Sequence, residues 1–138
     1  MEIILIEDTD SDAELIVRAL RKSKYADKIV RMRDGTEALA YITGTDGVPG
    51  LAAPKLVLLD LNLPGLDGIE VLRRLRADER TKMLPVVVLT ASGEERERTQ
   101  SYELGANIFL NKPVRRDLLL DMVGQAETYW STRADTAT

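Results

Sequence analysis

Leu56-Val57-Leu58-Leu59-Asp60-Leu61-Asn62-Leu63-Pro64-Gly65-Leu66-Asp67-Gly68 is the stretch on which the reading of this chain turns. Four consecutive apolar residues stop at a carboxylate, and Pro, Gly, Asp and Gly follow. A short continuous apolar run bounded by turn residues is the pattern of a strand buried on both faces, as in a parallel sheet.

The same pattern recurs on either side. Ile3–Ile6, Ile29–Met32, Val86–Leu89 and Ile108–Leu110 are short, rich in β-branched residues or Leu, and bounded by turn residues. Between them the apolar period lengthens to that of a helix. Ala13, Ile16, Val17 and Leu20 share one face, as do Ile69, Leu72 and Leu75. Ser11 and Glu14 are spaced as a capping box for the first helix, and Gly105 stands as the stop after a helical segment from Glu94 to Leu104. Strand and helix alternate five times, which predicts an α/β fold, a (βα)5 parallel sheet with helices on both faces and strand order 2-1-3-4-5. One domain over residues 1–130 is expected, with a small polar tail, 131–138, expected to fray. The Gly- and Pro-rich connection Thr43–Pro54 reads as a surface insertion.

Composition narrows the chemistry. The chain has 138 residues, with neither His nor Cys. Ser-His-Asp triads, Cys nucleophiles and Cys/His zinc sites are thereby excluded. A net charge of −4 argues against nucleic acid as a partner. No basic segment precedes the first apolar run, and no apolar stretch approaches the ~20 residues that span a bilayer. A cytoplasmic protein without a membrane partner is the expectation. At this length no DNA-binding output domain is expected.

Ligands of such sheets bind beyond the carboxyl ends of the strands. The first strand ends in Glu7-Asp8 and the third in Asp60, and strand order 2-1-3-4-5 makes those two strands neighbours. Three converging carboxylates repel one another unless a cation intervenes. An all-oxygen donor set suits Mg²⁺. Asp10 and Asp12 read as acids capping the following helix. The fourth strand ends in Thr90-Ala91-Ser92 and the fifth in Asn111-Lys112-Pro113. Lys112 is the cation at the strand ends, and a cis Lys112-Pro113 bond is one way to aim its amine inward. The set fits phosphoryl transfer to Asp60, with Mg²⁺ and Lys112 neutralising oxygen charge. The Thr90 hydroxyl and nearby backbone N–H groups, that of Ala91 among them, would hydrogen-bond the transferred group.

In order and spacing these pieces resemble the receiver domains of two-component response regulators, which have a flavodoxin-like fold. The resemblance implies that Asp60 is the phosphoacceptor of a sensor histidine kinase. It implies that Mg²⁺ is held by Glu7 through water, by Asp8, by Asp60 and by the Asn62 backbone carbonyl. It makes Thr90 the switch hydroxyl, Lys112 the phosphate-bridging amine and Phe109 the switch aromatic, and it places Asn62 and Ser92 at the positions that tune the phosphoryl lifetime. Glu7 stands where Asp is commoner. The long loop, Ser101-Tyr102-Glu103-Leu104 and Glu127-Thr128-Tyr129-Trp130 resemble the single-domain regulators that partner phytochrome-type kinases.

The last helix suggests a partner surface. Leu119, Met122, Val123, Ala126 and Trp130 form a stripe facing the sheet, whereas Leu118, Leu120 and Tyr129 fall outside it. A helix from Arg116 to Trp130 is ~22 Å long against ~17 Å for a five-residue strand. A Tyr129-Trp130 pair overhanging the sheet is therefore expected to anchor a homodimer through the fourth helix, fifth strand and fifth helix. Two other readings compete. A haloacid-dehalogenase-type phosphatase also uses a strand-end Asp, but wants a second Asp where Asn62 stands. A receiver-like interaction module that is never phosphorylated would need none of Glu7, Asp8, Asp60, Thr90 and Lys112.

Overall fold

The computed structural model describes residues 1–44, 55–91 and 94–136. Five strands and five helices alternate: β1 Glu2–Ile6, α1 Asp10–Leu20, β2 Lys28–Met32, α2 Gly35–Thr43, β3 Lys55–Asp60, α3 Gly68–Ala77, β4 Val86–Thr90, α4 Glu95–Glu103, β5 Ile108–Asn111 and α5 Arg116–Thr136. The sheet is parallel in the order β2-β1-β3-β4-β5, as the alternating pattern predicts. Most of the Thr43–Pro54 connection and Ser92 lie outside the described residues.

β1, β3 and β4 are buried along their whole length, which is why Ile3–Ile6, Leu56–Leu59 and Val86–Leu89 within them are unbroken apolar runs. Alternation along each strand sorts these side chains into two cores. Ile3, Leu5, Leu56, Leu58, Val87 and Leu89 pack under α1 and α5 through Ile16, Leu20, Leu119 and Val123. On the opposite face Ile4, Ile6, Val57, Leu59, Val86 and Val88 pack with α2 and α3 through Ala38, Ile42, Leu72 and Leu75.

Local chemistry sets the starts of α2 and α3 and the close of α4. The Asp34 and Asp67 carboxylates accept the backbone N–H of Glu37 (2.7 Å) and Glu70 (2.9 Å) and cap α2 and α3. Gly105, at φ 94°, closes α4. The expected Ser11/Glu14 capping box does not form. α1 starts one residue before Ser11, with Thr9 at its N-cap and no side-chain cap, and Glu14 turns instead to Arg18 one helical turn on.

The last helix corrects a second expectation, the overhang of Tyr129 and Trp130. α5 continues past Trp130 to Thr136; Ser131 to Thr136 holds neither Gly nor Pro to stop it. Tyr129 and Trp130 do not overhang the sheet. The Trp130 indole N–H donates to the Lys55 carbonyl at 2.7 Å, and its ring packs on the α2–α3 side of the core. The Tyr129 hydroxyl donates to the Met83 carbonyl at 2.7 Å, and the two rings meet edge to face at 5.5 Å. Comparing α5 with β5 alone misses that the start of β3 and the loop into β4 lie beneath its later turns and offer carbonyls to both side chains. Leu118, on the same helix, is half-buried.

Candidate functional site

Strand register places the polar residues. Ile6 pairs with Leu59, so Glu7 stands level with Asp60. Asp60 pairs with Leu89, which sets Thr90 one residue farther along. Thr90 pairs with Asn111, so Lys112 is one residue farther again. Each step is a rise of ~3.3 Å, and the ends of four strands thus line one side of a shallow hollow.

The loop after β3 is held tightly back on the strand. The Gly68 N–H donates to the Leu61 carbonyl at 3.1 Å. A Cβ on Gly68 would lie 2.5 Å from the Asp60 carbonyl oxygen and 2.6 Å from the Leu61 Cα. Only glycine lets the start of α3 come this close to the strand end that carries Asp60. Gly65, at φ 69°, makes the turn before it.

Glu7, Asp8 and Asp60 each bring a carboxylate oxygen within 4.8 Å of the others. Asp60 is 2% exposed and Glu7 is fully buried. One Asp60 oxygen accepts the Asn62 backbone N–H at 3.1 Å and the other accepts from the Lys112 ammonium at 3.2 Å. The ammonium also contacts Glu7 and reaches the Asp12 carboxylate at 3.1 Å. Burial pushes the Glu7 carboxyl up to about 7, and the neighbouring Asp60 adds to the rise while Lys112 opposes it. Burial pulls the Lys112 ammonium down, but Glu7, Asp12 and Asp60 outweigh it and hold it above its ordinary value. A carboxyl that reluctant to ionise beside two other acids marks a shortage of positive charge, and the oxygen-only donor set fits a hard divalent cation.

The structure brings together Glu7, Asp8, Asp60 and Lys112 as expected, and the Lys112-Pro113 peptide bond is cis. The Lys112 backbone N–H donates to the Thr90 carbonyl at 2.8 Å, which ties the two strand ends. The Thr90 hydroxyl is buried and donates to Glu97 on α4 at 3.3 Å. Asn62 and Ala91 are exposed at the rim. Phe109 is buried on the α2–α3 side, its N–H donating to the Tyr102 hydroxyl at 3.2 Å. Tyr129 and Trp130 engage the loop before β4 and the start of β3, at the other end of the sheet.

Asp12 has a partner that its place in the sequence does not reveal. It is a helix-start acid, as expected, but its carboxylate is also a partner of Lys112. The signal was its offset from the strand end: Glu7 directly follows β1, and a first-turn acid on α1 faces the same hollow. Asp10 has other work, pairing with Arg31 at 3.0 Å and Arg33 at 2.7 Å. Arg31 in turn donates to the Glu7 carbonyl at 2.8 Å and fixes the backbone from which Glu7 projects.

Residues 3–124 match the response regulator receiver domain family. The response regulator Rcp1 of Synechocystis sp. is 38% identical over 128 residues, which span 93% of this chain and 87% of that protein. The solved structure of its Mn²⁺-bound form has a TM-score of 0.72 at 37% identity, covering 93% of this chain and 92% of that one. The phosphorylated cyanobacterial phytochrome response regulator RcpA has a TM-score of 0.75 at 38% identity over 95% and 94% of the two chains. For the bacteriophytochrome response regulator AtBRR the TM-score is 0.73 at 41% identity, over 90% and 89%.

Proposed function

The chain belongs to the response-regulator receiver family and is a phosphoacceptor served by a sensor histidine kinase, and we propose that Asp60 is the residue that takes the phosphoryl group. One observation carries this assignment. Asp60 is a buried carboxylate at the end of the central strand, grouped with Glu7 and Asp8, and its oxygen lies 3.2 Å from the Lys112 ammonium. In the transfer, an Asp60 oxygen bonds to phosphorus as the N–P bond of the donor's phosphohistidine breaks and the imidazole leaves. The chain has no His of its own to act as donor.

The remaining residues supply charge and position. Glu7 (through water), Asp8, Asp60 and the Asn62 carbonyl would hold Mg²⁺, which when bound neutralises charge on the transferring oxygens. A carboxylate cluster is present, and the relative Rcp1 has a Mn²⁺-bound form; the choice of Mg²⁺ rests on the all-oxygen donors. Lys112 bridges to a phosphoryl oxygen, and the Thr90 hydroxyl and Ala91 N–H donate to others. Phe109 follows Thr90 when that hydroxyl turns inward. Asn62 and Ser92 occupy the sequence positions that in the family tune the lifetime of the aspartyl phosphate, and the same role is proposed for them here.

We further propose a phytochrome-type kinase as donor, because two of the similar structures, RcpA and AtBRR, are regulators of that kind. A homodimer through α4, β5 and α5 is proposed as the readout. Mixed charge on α4 supports it: Glu95, Arg96 and Arg98 are exposed within one turn, so the acid of one copy can pair with an arginine of the other across a two-fold axis. Of the anchors expected for that face, Trp130 and Tyr129 bond within the chain to Lys55 and Met83, and Leu118 is half-buried.

The decisive experiment is intact-mass measurement after incubation with Mg²⁺ and acetyl phosphate. A single phosphoryl adduct in the wild type and none in Asp60→Asn is expected. An adduct that persists in Asp60→Asn would move the acceptor elsewhere. No adduct in either would favour a receiver that works without phosphate.

A further inference from the structure

Lys112 has three N–H donors, and all three already have carboxylate partners: Glu7, Asp12 at 3.1 Å and Asp60 at 3.2 Å. The ammonium is saturated before any phosphoryl group arrives. A phosphoryl group on Asp60 brings three strong acceptor oxygens and close to two negative charges. For Lys112 to meet one of those oxygens, a present partner must be given up.

Burial decides which one. The side chains of Glu7, Asp60 and Asp12 are 0%, 3% and 39% exposed. A carboxylate that loses its cation inside the protein is left uncompensated, whereas one at the surface is taken over by water. Asp12 is therefore the partner whose loss costs least. We propose that Asp12 is a positioning residue for Lys112, holding the ammonium in the unphosphorylated protein and surrendering it to the phosphoryl group on Asp60. The inference rests on Asp60 being the acceptor.

The exchange has a structural address. Asp12 lies in the first turn of α1 and, with Leu15, Ile16, Pro113 and Val114, lines a groove between α1 and the β5–α5 loop. The Asp12–Lys112 pair is a polar bridge across the end of that groove nearest the site. Once the ammonium turns to the phosphoryl group, that bridge is open.

A kinetic split tests the proposal. The contact exists before transfer and is gone afterwards, so its removal changes the forward rate and leaves hydrolysis alone. Asp12→Ala and Asp12→Asn are expected to take phosphate from acetyl phosphate about two- to fivefold faster than wild type, the size of effect of a partly exposed ion pair. Hydrolysis of the adduct is expected at the wild-type rate, and Asp12→Glu is expected to restore the slower forward rate. In the wild type, the Asp12 carboxyl carbon signal in NMR is expected to move toward that of a solvated carboxylate when beryllofluoride is added with Mg²⁺. Unchanged forward rates in both neutral variants, or an Asp12 signal that does not respond, would overturn the proposal. So would faster hydrolysis in the variants, the mark of a merely loosened site. A wild type that takes no phosphoryl group would instead sink the assignment of Asp60, and the inference with it. The Lys112 ammonium signal of the unphosphorylated protein separates the two failures, because its response to Asp12→Asn does not depend on the acceptor.

Discussion

Trp130 and Lys55 are joined by an indole N–H···O=C hydrogen bond of 2.7 Å between the far turns of α5 and the first residue of β3. The ammonium of the same lysine holds Glu2 at 2.6 Å. The helix that the sequence suggests as a partner's anchor is thus fastened to its own sheet beside a buried ion pair.

Truncating the ring should therefore unfold the protein more readily rather than simply expose a dimer face. Trp130→Phe keeps most of the packing and loses the hydrogen bond, an expected cost of about 1 kcal/mol. Trp130→Ala also loses the packing and is expected to cost about 3 kcal/mol. Urea unfolding measures both; equal, near-zero effects would mean that the ring is not seated.

The Glu2–Lys55 pair should show strong coupling. Glu2 also accepts from the Tyr41 hydroxyl at 2.7 Å and faces Lys28 at 3.3 Å. Burial raises its carboxyl, but Lys55, Tyr41 and Lys28 outweigh burial and leave it below its ordinary value. Glu2→Leu strands the Lys55 ammonium and is expected to cost about 3 kcal/mol, whereas Glu2→Leu with Lys55→Met should recover most of that loss. A depressed carboxyl contributes stability that is present above its unfolded value near 4.5 and disappears as the pH falls through the folded value. Denaturant titrations below pH 5 should accordingly lose slope in Glu2→Gln.

Glu7 predicts the opposite slope. Its folded carboxyl sits at about 7 against 4.5 in the unfolded chain, so the folded state binds the extra proton between those values. With divalent cations chelated, stability should fall as the pH rises from about 4.5 to about 7, by up to about 3 kcal/mol. Glu7→Gln should flatten that fall. Adding Mg²⁺ at pH 8 should stabilise the wild type more than the variant. Stability that rises across this window in chelator would contradict the geometry of the cluster.

Gly68 can be tested directly. A methyl group there cannot coexist with the Asp60 carbonyl 2.5 Å away, so Gly68→Ala must push α3 or the end of β3 aside. We expect a loss of about 2 kcal/mol in urea unfolding and a phosphorylation rate at least about tenfold lower, because ~1 Å of misplacement at a reacting group is costly. A normal rate with normal stability would show that the loop yields freely.

Much of the molecule is legible in the sequence because its signals are local. The apolar runs ending in Glu7, Asp60, Thr90 and Lys112 give the strands, and register alone then collects those residues at one edge. What escapes is decided by tertiary partners. Ser11 and Glu14 have capping-box spacing, yet α1 starts before Ser11 and Arg18 takes Glu14. Asp12 reads as a helix-start acid until β5 brings Lys112 beside it. Trp130 lies on the apolar stripe of α5, but what lies beneath its last turns depends on where β3 begins, which no helical period encodes.

Strand alternation has a last consequence at the strand ends. Glu7, Asp60 and Lys112 continue the rows of Leu5, Leu58 and Leu110, which pack toward α1 and α5. Thr90 continues the row of Val86 and Val88, which pack toward the other face, and its hydroxyl meets α4 through Glu97. A phosphoryl group on Asp60, as proposed, would thus meet an ammonium belonging to one side of the sheet and a hydroxyl belonging to the other. The sheet works as a partition with one doorway, and a single charge placed there is addressed to both rooms.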